Sequence, residues 1–133
     1  RYGILLILDE VMCGSGRCGT FFAFEAEGIT PDIVTIAKGL GAGYQPIGAM
    51  MCTSEIYDTI AEGSGFFQHG HTYVGHPTAA AAGLAVVRAL LDRDLIPRVQ
   101  RQGGTQAANT CAADDGSAAQ VGGVLRVRIA LMR

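Results

Sequence analysis

Ile33-Val-Thr-Ile-Ala-Lys-Gly-Leu-Gly-Ala-Gly43 is an apolar run that meets a lysine and continues as a string of glycines. Its first four residues read as a strand, and Lys38 stands just beyond the carboxyl end. Lys38 is the one lysine in 133 residues, against nine arginines. Either an arginine-rich composition has spared a single lysine by accident, or the position needs a primary amine. A buried lysine can lose its proton and attack a carbonyl, which arginine cannot do. The glycines do not make a nucleotide phosphate loop, because that loop carries its lysine after the glycines and here the lysine precedes them. They read instead as a close backbone turn.

Working outward, the chain alternates between strand-like and helix-like stretches. Ile4-Leu-Leu-Ile-Leu8, ended by Asp9-Glu10, reads as a strand buried on both faces of a sheet. Cys13 to Gly19 reads as a loop, and Phe21 to Glu27 as a short helical turn with Phe21, Phe22 and Phe24 packed inward, closed by Gly28. Ile47 to Thr53 is a third strand candidate, followed by a helix opening at Ser54 with Thr53 or Ser54 as cap. Gly63 to Gly75 reads as a loop. Pro77 suits the first turn of a helix running to about Asp94, with Leu84, Val87, Leu90 and Leu91 along one side.

This alternation predicts an α/β fold with a parallel sheet. In such sheets the ligand crevice lies beyond the carboxyl ends of the strands, where both Asp9 and Lys38 fall. Asp9 alone also reads as a carboxylate that caps or salt-bridges at a strand end. Together, an aspartate and a lone lysine at neighbouring strand ends match what a pyridoxal phosphate site requires.

Composition narrows the field further. With 17% charged and 49% hydrophobic residues, this is a folding sequence. A net charge of -2 provides no broad attraction for nucleic acid or an acidic membrane, and neither partner is expected. The longest apolar helical stretch, about Ala79 to Leu91, is too short to span a bilayer. Cys13, Cys18, Cys52 and Cys111 lack CxxC spacing and the density of a disulfide scaffold. They read as reduced thiols of a cytoplasmic protein, with a mitochondrial compartment left open. His69, His71 and His76 read as loop histidines; no cysteine or carboxylate completes a metal-ligand pattern beside them.

Several motifs in order resemble the class III aminotransferases, the ornithine, 4-aminobutyrate and omega-amino acid branch of the fold type I pyridoxal phosphate enzymes. They are Leu6-Ile-Leu-Asp-Glu-Val11, Gly16-Arg17-x-Gly19, Phe22-Ala23-x-Glu25, Gly28 to Gly43, Pro46-Ile-Gly-Ala49 and His71-Thr-Tyr-Val-Gly-His-Pro77, and they cover roughly residues 3 to 100. The resemblance implies that the chain is part of the large, mainly parallel-sheet domain. It also implies transfer of an amino group from an amino acid or omega-amine to an oxo acid, with Lys38 forming the Schiff base with pyridoxal 5'-phosphate and acting as catalytic base. By the same resemblance Asp9 pairs with the pyridine nitrogen and Val11 packs against one face of the ring. Thr72 binds the cofactor phosphate across the subunit interface of a homodimer with a shared active site.

Met12 departs from the glutamine common in the family, and His76 from the usual asparagine. Residues 1–102 form the expected cofactor-binding core segment, 103–120 a linker or disordered stretch, and 121–133 a strand candidate. Arg126 and Arg128 share one face of that strand, either to hold a substrate carboxylate or simply solvated. The chain opens on Arg1-Tyr2-Gly3 instead of methionine and reads as cut from something longer. Two further readings stand beside the aminotransferase: a truncated, non-catalytic relic, and an aminomutase of the same family.

Overall fold

β1 (Ile7–Asp9) and β2 (Ile33–Ile36) pair in parallel, with Ile7 opposite Ile33, Leu8 opposite Val34 and Asp9 opposite Thr35. The computed structural model describes residues 2–103. The expectations for Cys111, for the linker beyond Gly103 and for the strand carrying Arg126 and Arg128 lie outside them.

Asp32 locks the start of the sheet from both sides. Its carboxylate accepts the Leu6 N–H at 2.7 Å, and its backbone carbonyl accepts the Thr53 N–H at 3.0 Å. The core is small and centred on β2: Leu8, Ile33, Val34, Ile36, Leu40 and Ala79 are its buried apolar residues. The aliphatic run before Leu8 is only partly paired, and Ile4 is exposed, so β1 is buried on one face where the sequence predicted two.

The third apolar run does form a strand, β3 (Ala49–Cys52), but it lies antiparallel to β2, with Ile33 opposite Cys52 and Ile36 opposite Ala49. Parallel pairing needs a crossover, usually a helix, to carry the chain back over the sheet. Residues 37–48 hold only the 3-10 turn Lys38–Gly41 and a reversal around Gly43 to Pro46, so the chain doubles back on itself. The fold is α/β with a mixed three-stranded sheet in the order β1-β2-β3.

Helix α1 (Ser54–Glu62) starts after Thr53, whose extended backbone occupies the capping position while its hydroxyl makes no capping bond. Helix α2 (Pro77–Asp92) has its proline in the first turn, as expected. Its packed face differs from the predicted leucine stripe. Ala79 and Gly83 are buried, Val87 and Leu90 half-buried, and Leu84 and Leu91 exposed. The cause is close approach: a Cβ on Gly83 would lie 3.1 Å from Ile47 Cδ1 and 3.7 Å from the Leu40 carbonyl, so small residues seat the helix on the lysine turn. Residues 95–103 are again helical.

Phe21 to Glu27 folds largely as predicted, with a 3-10 turn (Ala23–Glu27) ended by Gly28 in the left-handed conformation at φ 63°. The three phenylalanines are half-buried and pack on one another, Phe22 stacking on Phe24 with centroids 5.0 Å apart.

Candidate active site

The ends of β1 and β2 set the candidate residues side by side. Asp9 is the last residue of β1, opposite Thr35, and Lys38 follows two residues after β2 ends. The chain leaving β1 bends at once: Asp9 Oδ1 accepts the Val11 N–H at 3.0 Å, and the bend brings the Met12 sulfur into contact with Lys38 Nζ. The side chain of Asp9 is exposed, and among the described residues its second oxygen has no hydrogen-bond partner. Val11, half-buried, lies within the same bend.

Lys38 has φ 43°, the left-handed region that a lysine adopts only under constraint. Such strain costs on the order of 1–2 kcal/mol and persists where the surroundings impose it. Gly39 explains part of the imposition. A Cβ there would stand 3.0 Å from the Ser15 Cβ, so the turn after Lys38 is pressed against the loop of residues 13–19. Ser15 Oγ is buried in that contact and has no hydrogen-bond partner among the described residues. From its far side the same loop is held by the C-terminal helical residues, where Gln100 Nε2 donates to the Gly19 carbonyl at 2.6 Å.

Thr72 occupies a corner of the turn closed by the Val74 N–H to the His71 carbonyl at 2.8 Å, and it is exposed. Its neighbours, not Thr72 itself, line an open hollow of about 1130 Å³ whose wall includes Lys38, Gln45, Ile47, His71, Tyr73 and His76. Asp9, Val11 and Thr72 do not line this hollow. Lys38 therefore stands between two neighbourhoods, the Asp9–Met12 bend on one side and the hollow on the other.

The histidines are engaged locally. His71 Nδ1 accepts the Tyr73 N–H at 3.2 Å, and His76 Nδ1 accepts the Ala79 N–H at 3.3 Å. The second bond caps α2, so His76 serves the role a capping asparagine would. Among the described residues no group of three or more metal-ligating side chains comes together.

Two residues were not singled out by the sequence reading. Glu10 is buried, and its carboxylate accepts the backbone N–H groups of Ala23 at 2.8 Å and Phe24 at 3.0 Å. The signal was the period-two alternation Leu8, Asp9, Glu10, which sends the first and third side chains to the buried face. Ser15 carried no signal, because its burial depends on Gly39, distant in sequence.

The donor set suits pyridoxal phosphate. A primary amine held in a strained backbone conformation, a carboxylate at the neighbouring strand end with one oxygen unbonded and a buried hydroxyl nearby are groups without a complete set of partners among the described residues. The family model for class-III aminotransferases matches residues 1–121. The chain belongs to the class-III aminotransferase family.

It is 49% identical over 102 residues to an acetylornithine aminotransferase of Xylella fastidiosa, covering 77% of this chain and 24% of that protein. Among solved structures, an (S)-enantioselective omega-transaminase from Thermomicrobium roseum superposes with a TM-score of 0.81 at 42% identity, over 86% of this chain and 26% of that one. The taurine:2-oxoglutarate aminotransferase of Bifidobacterium kashiwanohense, solved in complex with pyridoxal phosphate and glutamate, has a TM-score of 0.76 at 38% identity over 84% and 25% of the two chains. This chain spans about a fifth to a quarter of the length of the curated relatives it matches. The family and the fold expected from the motifs are both borne out. The described residues form part of the α/β large domain of these enzymes. No helix among them is long and apolar enough to cross a membrane.

Proposed function

We propose that this chain supplies the lysine-bearing part of a pyridoxal phosphate-dependent aminotransferase that moves an amino group from an amino acid or omega-amine to an oxo acid. The observation that carries the reading is the juxtaposition of Asp9 and Lys38 at the carboxyl ends of adjacent parallel strands, in a chain of this family. Pyridoxal phosphate, when bound, supplies an aldehyde carbon that holds an amino group and a ring that accepts the electrons released as a C–H bond breaks.

The residues divide the remaining work. Lys38 Nζ would hold the cofactor covalently and, as an amine, would serve as the base that moves a proton at the reacting carbon. The contact with Met12 and the strained backbone limit where that amine can swing. Asp9 is oriented through Oδ1 by the Val11 amide, and its other oxygen would accept the pyridine N–H and so keep the ring nitrogen protonated. Val11 packs on the ring. Thr72, exposed on its turn, would serve the phosphate across the subunit interface of a homodimer. The free thiols of Cys13, Cys18 and Cys52 suit a reducing compartment, cytoplasmic or mitochondrial.

The test is reduction with borohydride in the presence of pyridoxal phosphate, followed by peptide mass analysis. A stable adduct confined to Lys38 is expected, and Lys38→Ala should abolish it. Asp9→Asn should keep the adduct but lower transamination at least about a hundredfold, the scale of losing one strong electrostatic contact in a site. A folded sample that takes no adduct would instead favour the non-catalytic relic, and unchanged turnover in Asp9→Asn would refute its role.

A further inference from the structure

Glu10 is the one buried charged side chain among the described residues, with 1% of its surface exposed. Its backbone N–H donates to the Thr35 carbonyl at 2.9 Å, extending the β1–β2 ladder by one bond. Its side chain reaches the opposite way: Oε2 accepts the Ala23 N–H and Oε1 accepts the Phe24 N–H. One residue therefore ties β2 to the Ala23–Glu27 turn. Immediately before it stands Asp9, and after it come Val11 and Met12, whose sulfur touches Lys38. The Glu10 carbonyl accepts the Gly14 N–H at 2.8 Å and so also fixes the start of the loop pressed against Gly39.

We propose that Glu10 is a positioning residue: by fastening the Ala23–Glu27 turn with both carboxylate oxygens, it holds the Asp9–Met12 bend in register with Lys38. The proposal rests on the reading of Lys38 and Asp9 as the residues that hold the cofactor. A carboxylate is required because both oxygens must accept. An amide would turn an NH2 group toward one of the two N–H donors and strand it in a buried place.

The neighbouring thiol reports on the arrangement. Cys13 lies against the Asp9 carbonyl at 3.8 Å and the Glu10 carboxylate. Burial, then the charge and hydrogen bond of Glu10, push its thiol up to about 11. Lys38 reports from the other side of the bend, since acetylation of a side-chain amine in this chain can occur at no other residue.

Two variants separate the carboxylate from the bond it makes. Glu10→Gln keeps size and removes charge. Ala23→Pro removes one donor while the turn survives, because proline is accepted in a first helical turn and Phe22 before it is already extended at φ -111° and ψ 138°. Each is made in the full chain, with folding checked by circular dichroism. Three rates or yields are followed by peptide mass: Cys13 alkylation with iodoacetamide from pH 7 to 10, Lys38 acetylation without cofactor, and the borohydride adduct at Lys38.

In Glu10→Gln, Cys13 alkylation at pH 8 should rise, because the charge and hydrogen bond of Glu10 are among the causes that push its thiol up. Lys38 acetylation should change at least about threefold and the adduct should fall by a similar factor, the scale of one buried hydrogen bond lost. In Ala23→Pro the Lys38 measurements should move the same way while the Cys13 profile stays near wild type. Lys38 acetylation within twofold of wild type in a folded variant overturns the proposal, and if Glu10→Gln does not fold, Ala23→Pro decides. A wild-type chain that takes no adduct sinks the cofactor reading instead, and the Cys13 and acetylation rates still decide the part played by Glu10.

Discussion

Lys38 sits in a conformation that its own chemistry does not favour. At φ 43° a side chain with a Cβ is strained, whereas glycine is at ease, so Lys38→Gly should stabilise the fold by about 0.5–1 kcal/mol, measured by urea unfolding, while abolishing the cofactor adduct. Equal or lower stability in the glycine variant would show that the contacts of the lysine side chain outweigh its backbone strain. Such a trade is expected where function, not stability, selects a residue. The lone amine in an arginine-rich chain was legible from composition and placement alone. Its strain was not, because part of what imposes the angle is the close approach of Ser15 to Gly39, a contact between segments distant in sequence.

Among the elements, α2 meets the site at its first turn. His76 closes the helix with Nδ1 on the Ala79 amide, and the buried Ala79 and Gly83 lay the helix against Leu40 and Ile47. His76→Ala should cost about 1 kcal/mol, the usual value of a lost cap, whereas His76→Asn should retain most of it; thermal unfolding of both variants checks the pair. The start and proline of α2 were readable in the sequence, and so were the three strands, since uninterrupted aliphatic runs bounded by polar or glycine residues have few other uses. The direction of β3 was not. Composition is the same for parallel and antiparallel neighbours, and the length and turn content of the connection decide between them. The packed side of α2 was misread for a related reason: leucines announce themselves, but close approach to the lysine turn selects residues with almost no side chain.

Among the described residues, large apolar side chains are left exposed. Tyr2, Tyr44, Tyr57, Phe66, Tyr73 and Val74 are each more than half exposed, against a core of six buried apolar residues. Exposed apolar side chains in this number can serve as contact surface for further polypeptide or a second copy. The 133-residue chain on its own should bind a hydrophobic dye and elute larger than its 13.9 kDa mass on size exclusion. A sharp monomer peak without dye binding would show that these side chains are tolerated in water.

The bond from Gln100 to the Gly19 carbonyl joins residues 81 positions apart. Translation adds roughly 5–20 residues each second, so about 4–16 s pass between the emergence of its two ends. During that interval the loop behind Lys38 lacks its rear support while β1 and β2 become available to pair. The candidate site is thus completed late and from behind, and the order of synthesis sets the earliest moment at which its lysine can be held in its final pose.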